Sequence, residues 1–373
     1  MPDPRFLIVR LGSLGDIVHT FPAVAALRQS FPAAQIAWLT HPRWESLIAG
    51  SDLATEIWAT ETRSAKSIRE IVGRIRAAKF TTAIDYQGLW KSAALPLFGG
   101  IAKRIGFSSE TIREWGVPVL YTDRVRCVTT HIADQNGELS QRAGASTTVA
   151  PFTLQISPQD DAFVCRLLKD SGIDQYILLS PGGGWRSKCW PPERFGQLCQ
   201  QLRDSFDLRC VLNYGPGEDD LVQSIKTNSG TADPVAYSGP MGKLMALARN
   251  AICIVGGDTG PLHLAIALGT PSVSIYGPTD PNRNGPYPTF TMFTGASQVL
   301  VGAQHVAPQL ARTDARSASA GEIGATGRTP NIVLRDPSAV RNHSRINETD
   351  PAILKISENE VFNAVGQLVG AIQ

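Results

Sequence analysis

Residues 253–267 read CIVGGDTGPLHLAIA, and this stretch decides the fold. Residues 252–255 have strand character and run into glycines and then Pro261. Proline suits the first turn of a helix because its missing N–H leaves no hydrogen bond unmade, and Gly269 suits the helix exit. A helix N-terminus behind glycines offers free N–H groups and the positive end of the helix dipole to an anion. Alone, the stretch predicts either an anion site or an ordinary strand-to-helix turn of an α/β protein.

The composition is that of an ordinary globular protein. With 373 residues the chain exceeds what one hydrophobic core usually covers, so we expect two domains. The formal net charge of +2 gives no overall attraction to nucleic acid. The six cysteines have no metal-binding spacing. The N-terminus begins a strand at Phe6, so no signal peptide is expected, and no apolar run approaches the ~20 residues that span a bilayer. We therefore expect a cytoplasmic protein.

The first half alternates buried strands with glycine loops and helices. Residues 5–10 form a strand, residues 11–16 (LGSLGD) a loop, and the apolar spacing predicts a helix over about 17–29. The loop spacing differs from GxGxxG, and no acidic residue closes the next strand, which disfavours a dinucleotide site. A further strand at 82–85 ends in a second glycine loop, and a basic helix is predicted over 64–79.

The second half repeats this rhythm, with strands at 176–180, 209–213 and 272–276, each followed by a glycine loop. We therefore predict an α/β protein of two doubly wound, Rossmann-like domains facing a cleft. Residues 1–155 form the first domain and 156–350 the second. Residues 289–330 lack periodicity and are predicted to be a flexible insertion. The apolar stripe of the helix at about 358–372 predicts that residues 351–373 cross back to pack on the first domain.

Five motifs together resemble glycosyltransferase family 9, the ADP-heptose heptosyltransferases of lipopolysaccharide core assembly. They occur in the family's order: RLGSLGDIVHTFPAV (10–24), DYQGLWKSAAL (85–95), SKCWPPERF (187–195), GGDTGPLHLAIALGTP (256–271) and YGPTDP (276–281). The resemblance implies the GT-B fold, with the acceptor in the N-terminal domain and the nucleotide sugar in the C-terminal one. The motif at Asp85 is more similar to the enzymes that add the first heptose than to those that add the second.

The resemblance also implies the roles of individual residues. Asp16 matches the family's general base, although a carboxylate there is also suited to capping the following helix. Lys188 matches the lysine that neutralises the donor phosphates, and a surface lysine is the alternative. Glu218 matches a ribose-binding carboxylate, with Asp219 as the alternative. For His263, a packed helix histidine is the alternative. The expected donor-binding set is Ser13, Gly15, Lys188, Glu218, Asp258, Thr259, Gly260 and His263.

The implied reaction is inverting transfer of heptose from ADP-L-glycero-D-manno-heptose to the Kdo-lipid A inner core. No DxD pair occurs in the chain, so we expect no metal and no cofactor. A Kdo-lipid A acceptor is anionic, and basic side chains of the first domain are expected to bind it and the anionic inner-membrane surface, peripherally. The candidates are Arg63, Lys66, Arg69, Lys91, Arg104 and Arg113.

Three alternatives stay open. Transfer to the first heptose, as in heptosyltransferase II-like enzymes, needs only a different acceptor. A UDP-sugar epimerase shares the architecture, but its motifs are absent. A non-catalytic sugar-nucleotide-binding protein would keep Lys188 and the loop at Gly256 but lose the base, and the presence of Asp16 argues against it.

Overall fold

The structure is a computed structural model, and it describes residues 3–112, 114–287, 290–293, 330–342 and 348–372. The chain forms two parallel sheets, each covered by helices. The first sheet has the strand order β3-β2-β1-β4-β5-β6. Its strands are β1 Arg5–Val9, β2 Gln35–Thr40, β3 Glu56–Ala59, β4 Thr82–Asp85, β5 Lys103–Phe107 and β6 Asp123–Val125.

The second sheet has the order β12-β13-β11-β10-β7-β8-β9. Its strands are β7 Tyr176–Ser180, β8 Arg209–Asn213, β9 Val235–Tyr237, β10 Cys253–Gly257, β11 Ser272–Tyr276, β12 Phe290–Phe293 and β13 Pro330–Arg335. All neighbouring strands of both sheets pair in parallel. Such strands are buried on both faces, which explains their continuous apolar runs, such as YILLS in β7. The predicted fold of two Rossmann-like α/β units is confirmed.

Helices cover both sheets. Those of the first unit are α1 Leu14–Val18, α2 Phe21–Ser30, α3 Glu45–Ala49, α4 Ala65–Ala78, α5 Trp90–Phe98 and α6 Ile132–Ala143. Those after it are α7 Pro158–Asp170, α8 Pro192–Phe206, α9 Asp219–Thr227, α10 Met241–Asn250, α11 Gly260–Ala267, α12 Pro281–Asn284, α13 Pro351–Leu354 and α14 Glu358–Ile372. Short 3₁₀ turns lie at Pro42–Trp44, Val117–Leu120 and Arg186–Lys188.

The two units touch through α1 and α11, where two glycines face each other. A Cβ atom on Gly15 would lie 2.8 Å from Cδ2 of His263, and one on Gly260 would lie 2.6 Å from Cβ of Leu14. Both distances are shorter than a carbon–carbon contact allows. Glycine at these two positions therefore permits the close approach of the two helices, and with it the shape of the cleft between the units.

Three sequence predictions need correction. The helix predicted over 17–29 is two helices, α1 and α2, and Pro22 at the start of α2 supplies no N–H to continue α1. The predicted insertion at 289–330 contains a strand, because β12 pairs with β13. The rest of that insertion, residue 289 and residues 294–329, lies outside the described residues.

The third correction concerns α14, the final helix. Its apolar stripe includes Val361, Val365 and Leu368, and it is buried against the second sheet and α8 rather than the first unit. The predicted crossing to the first unit is therefore wrong for this stripe. An apolar stripe in the sequence predicts that a helix packs against another surface. It does not predict which surface, because that depends on tertiary packing.

Candidate active site

A cleft of about 1340 Å³ lies between the two units. Its walls come from the loops that follow strands, including Ser13 after β1, Gln87 after β4, Tyr214 after β8 and Thr259 after β10. Ligands of open parallel sheets bind outside the carboxyl ends of the strands, so this cleft is the natural place for a substrate. Asp16 and all eight predicted donor-binding residues line it.

Asp16 lies at the third position of α1, and Ser13 is the residue that precedes the helix as its N-cap. Oδ2 of Asp16 accepts hydrogen bonds from the backbone N–H of Ser13 at 3.1 Å and from its hydroxyl at 3.0 Å. Asp16 therefore caps the start of α1 from the third position of the helix, and the N-cap residue is Ser13. Its side chain is 41% exposed, so the carboxylate is open to the cleft.

Arg10, at the carboxyl end of β1, orients Asp16. Its Nη2 lies 2.6 Å from Oδ1 of Asp16, while Nη1 donates to the carbonyl of Tyr86 after β4. The Arg10 side chain is only 6% exposed. The next residue, Leu11, donates its N–H to the side-chain oxygen of Gln87 at 2.9 Å. The loops after β1 and β4 are thereby joined beneath the carboxylate.

A second group of charges lies at the turn after β10. The carboxylate of Asp258 accepts from Nζ of Lys188 at 2.6 Å and from Nε2 of His263 at 2.9 Å. Burial by itself would raise the pKa of Asp258, but the hydrogen bond from His263 and the charge of Lys188 outweigh it and hold that pKa well below its usual range. The side chain of Lys188 is 11% exposed, and Nζ lies 4.3 Å from the ring centre of Trp185. Lys188 is therefore a positioned cation rather than a surface lysine.

The N-terminus of α11 opens into the same part of the cleft. Thr259 is its N-cap, and Gly260 and Pro261 form its first turn. A Cβ on Gly257 would lie 2.7 Å from the carbonyl oxygen of Lys188, so glycine there lets the loop carrying Lys188 pack against β10. Free backbone N–H groups, a helix dipole and an ammonium group together suit an anion such as a diphosphate.

Glu218 lies immediately before α9, and its Oε2 accepts from the backbone N–H of Gly215 at 2.7 Å. It lines the cleft, whereas Asp219, the first residue of α9, does not. Of the two sequence candidates for the ribose contact, Glu218 is therefore the one that faces the cleft.

Three histidines from distant parts of the sequence meet where the units touch. The ring of His19 lies 4.4 Å from that of His263 and 5.4 Å from that of His131, measured between centroids. Nε2 of His131 donates to the carbonyl of Gly285 in the second unit at 3.1 Å, and its Nδ1 accepts from the N–H of Ala133 at 3.2 Å. Burial lowers the pKa of His131 to about 4 and also lowers that of His19, where His263 and His131 add to the effect. The three histidines thus form part of the contact between the units, and burial favours the neutral form of His19 and His131.

The five predicted acceptor-binding residues that the structure describes do not line the cleft. Arg63, Lys66, Arg69 and Lys91 are exposed away from it, and the guanidinium of Arg104 donates to the carbonyls of Ile101 and Leu120. Arg113 lies outside the described residues.

The positive charge of the cleft, besides Lys188, comes from Arg10, Arg43 and Arg283, which the sequence analysis missed. Arg10 belongs to the first quoted motif and ends a strand directly before a glycine loop, and that position could have identified it. Arg43 and Arg283 carry no such local signal.

Within the described ranges, no cluster of three or more His, Cys, Asp or Glu side chains is arranged to hold a metal ion. Among the helices that the structure describes, none is long and apolar enough to cross a membrane.

Comparisons with known proteins bear on the identity of the site. The sequence model of glycosyltransferase family 9 (heptosyltransferase) matches residues 68–307. The chain is 28% identical over 301 residues to lipopolysaccharide heptosyltransferase 1 of Escherichia coli K12, which covers 76% of this chain and 91% of that protein. It is 24% identical over 281 residues to lipopolysaccharide heptosyltransferase 3 of the same strain, covering 71% and 80%.

Solved structures agree in fold. A glycosyl transferase family 9 structure from Veillonella parvula DSM 2008 has a TM-score of 0.77 at 19% identity, covering 99% of this chain and 98% of that one. E. coli heptosyltransferase WaaC with ADP has a TM-score of 0.68 at 22% identity, covering 98% and 99%. The family match spans more than half of the chain, and the cleft between two Rossmann-like units agrees with it. The predicted family is thereby confirmed: the chain belongs to glycosyltransferase family 9 and is a glycosyltransferase.

Proposed function

We propose that this glycosyltransferase moves L-glycero-D-manno-heptose from ADP-heptose to the Kdo-lipid A inner core, in lipopolysaccharide core assembly. The names of its relatives support the donor and the pathway, because they are lipopolysaccharide heptosyltransferases 1 and 3. Two solved structures of similar fold contain ADP and ADP-2-deoxy-2-fluoro heptose. The motif at Asp85 supports addition of the first heptose.

One observation supports the mechanism above all others. A half-exposed carboxylate of the first unit, Asp16, and a partly buried, positioned ammonium of the second, Lys188, line one cleft. A transfer reaction needs a proton acceptor beside the attacking hydroxyl and positive charge beside the leaving group. The two groups supply these needs from opposite sides.

In the proposed step, a hydroxyl oxygen of the acceptor attacks the anomeric carbon of the heptose. A bond forms between that oxygen and the carbon, and the bond from the carbon to the diphosphate oxygen breaks, so ADP leaves with the electron pair. Asp16 takes the hydroxyl proton. A single displacement of this kind inverts the anomeric centre.

Lys188, Thr259 and the N-terminus of α11 take the place that a divalent metal occupies in other glycosyltransferases. Negative charge grows on the diphosphate as it leaves, and donors that are already in place stabilise it without reorganising. Asp258 holds Lys188 and His263 in position, and Glu218 binds the ribose. The reaction then proceeds fully in excess EDTA, and a strict Mg²⁺ requirement would contradict this arrangement.

The peripheral association with an anionic inner membrane also belongs to the proposal. Arg63, Lys66, Arg69 and Lys91 are exposed outside the cleft. Their positions fit a contact with a charged surface better than a contact with the reacting sugar.

The deciding experiment measures ADP release from ADP-heptose with Kdo-lipid A, with heptosyl-Kdo-lipid A, and with no acceptor. We expect turnover only with Kdo-lipid A, and a loss of about 10²–10⁴ in rate for Asp16→Asn. Turnover only with the heptosylated acceptor would assign the second heptose instead. Donor binding without turnover on either acceptor would indicate a non-catalytic binding protein.

A further inference from the structure

Apolar side chains are exposed to an unusual degree on one side of the first unit. Trp115 is 93% exposed, Val119 64%, Phe98 60% and Trp90 47%. We call these four residues the aromatic face. Single exposed apolar residues are ordinary, but two tryptophans and a phenylalanine within thirty residues of sequence indicate an interaction surface.

Local contacts hold Trp90 of this face beside the segment 114–119, which carries Trp115 and Val119. The backbone N–H of Trp90 donates to the carboxylate of Glu114 at 2.8 Å, which fixes the start of α5 against the turn that carries Trp115. Gly116 has φ +84° and passes so close to the ring of Trp90 that a Cβ there would lie 3.0 Å from it. The N–H of Val119 donates to the carbonyl of Gly116 at 3.1 Å. Phe98 lies at the other end of α5.

Positive charge accompanies the aromatic face. Lys91 follows Trp90, and Lys103, Arg124 and Arg126 are exposed on or directly after β5 and β6, the two strands at one end of the first sheet. Residues 1–155 hold seventeen Lys and Arg against thirteen Asp and Glu, whereas the remaining residues hold eighteen against twenty. The modest net charge of +2 therefore conceals a basic first unit.

The aromatic face also adjoins the cleft. Leu89, one residue before Trp90, lines the cleft, and so do Ile112 and Glu114 from the turn that leads to Trp115. A large binding partner that contacts the aromatic face therefore lies next to the wall of the cleft that the first unit contributes.

We propose that the aromatic face docks the enzyme onto the surface of an anionic lipid bilayer, with Trp90 and Trp115 at the level of the head groups. This rests on the proposed function in one respect, namely that the acceptor is anchored in a bilayer. Tryptophan has an apolar ring and a polar N–H and is enriched where hydrocarbon meets water. The neighbouring lysines and arginines complement anionic head groups. Because the aromatic face lies beside the cleft, a head group that projects from the bilayer is brought close to Asp16.

The test uses the full-length protein and vesicles without donor or acceptor, so its outcome does not depend on the reaction. Co-flotation is measured with phosphatidylglycerol–phosphatidylethanolamine vesicles and with pure phosphatidylcholine vesicles. We expect binding to the anionic vesicles that weakens with salt. The double variant Trp115→Ser with Val119→Ser should lower the partition coefficient by roughly tenfold, because it removes apolar area that enters the interface.

Val340→Ser is the matched control, since Val340 is 76% exposed but belongs to the second unit. It should leave vesicle binding unchanged, and thermal melts should show both variants folded. ADP release with a deacylated, water-soluble acceptor should be the same for wild type and the double variant, while release with vesicle-embedded acceptor falls.

The proposal is overturned if the double variant floats as well as Val340→Ser, or if the wild type does not bind anionic vesicles. It is also overturned if sedimentation shows that Trp115 instead joins two copies of the chain. Failure of the proposed function would appear differently, as intact vesicle binding without turnover on any acceptor.

Discussion

Two carboxylates of the cleft, Asp16 and Asp258, stand in opposite environments. Asp16 is 41% exposed and contacts Arg10 and Ser13 at the start of a helix. Asp258 is 6% exposed and is held between Lys188 and His263. An exposed carboxylate can meet a substrate proton, whereas a buried carboxylate with two partners can only position them. The comparison supports the proposal that Asp16 reacts with the substrate and that Asp258 positions its two partners.

The largest expected effect on stability concerns Asp258. Asp258→Asn keeps the side-chain shape but removes the charge, leaving the buried ammonium of Lys188 without compensation. Breaking one partner of a buried pair costs about 3 kcal/mol or more in free energy of unfolding. Urea denaturation measures it.

Asp161→Asn is the control, because the Arg249–Asp161 pair has a similar geometry but is about one-third exposed. It should cost less than about 1 kcal/mol. Equal losses of stability in Asp258→Asn and Asp161→Asn would contradict the supporting role of Asp258. Asp16→Asn should also cost less stability than Asp258→Asn.

A second prediction concerns the histidines at the contact between the two units, and it is an effect of pH on stability. The unfolded chain binds a proton at His131 below about pH 6.5, but the folded chain resists it until about pH 4. The unfolded state therefore binds more protons in this window, and folding stability should fall as the pH drops from 6.5 to 4, by roughly 3 kcal/mol. Urea denaturation at a series of pH values measures the fall.

His131→Asn is the informative variant, because Asn can also cap α6 but does not titrate. It should reduce the loss of stability at acid pH, with a remainder from His19, whose pKa is also lowered. An unchanged acid profile in His131→Asn would exclude His131 as the origin.

The smallest expected effect is on the reaction rate, and it depends on the distance between α1, which carries Asp16, and α11. Gly15→Ala places a methyl group where His263 stands, so α1 must move away from α11 and Asp16 away from the donor. A displacement of about 1 Å can cost on the order of a hundredfold in rate. Steady-state ADP release measures it.

Gly73→Ala is its control, since Gly73 is an exposed residue of α4 with nothing near its missing side chain. That change should leave the rate unchanged and stabilise the helix slightly. Equal rates in Gly15→Ala and wild type would show that the contact of α1 with α11 does not set the position of Asp16.

The sequence predicted the fold well, and it also predicted that Asp16 and the candidate donor-binding residues line the cleft, for a physical reason. The functional residues there lie in glycine loops at the ends of buried strands, and parallel strands bring such loops to one edge of a sheet. Asp16, Lys188 and Thr259 could therefore be assigned to the cleft from their positions in the sequence alone. The chemical roles that the motifs imply for these residues belong to the proposed function.

The rest depends on contacts between distant residues, which local patterns do not encode. Arg10 meets Tyr86 across two strands that are 76 positions apart. His19, His131 and His263 meet only after both units have folded. The acceptor residues were chosen by charge alone, and most of them prove to be exposed outside the cleft, because charge does not say which face of an element is turned inward.

One measurement tests the central claim most directly: that Asp16 reacts while the group around Lys188 binds the donor. The affinity for ADP-heptose, by calorimetry, and the single-turnover rate with Kdo-lipid A are measured for Asp16→Asn and Lys188→Met side by side. We predict that Asp16→Asn keeps the affinity but loses about 10²–10⁴ in rate, whereas Lys188→Met loses affinity as well. Near-normal turnover in Asp16→Asn, or a loss of donor affinity in that variant equal to the loss in Lys188→Met, would contradict the account.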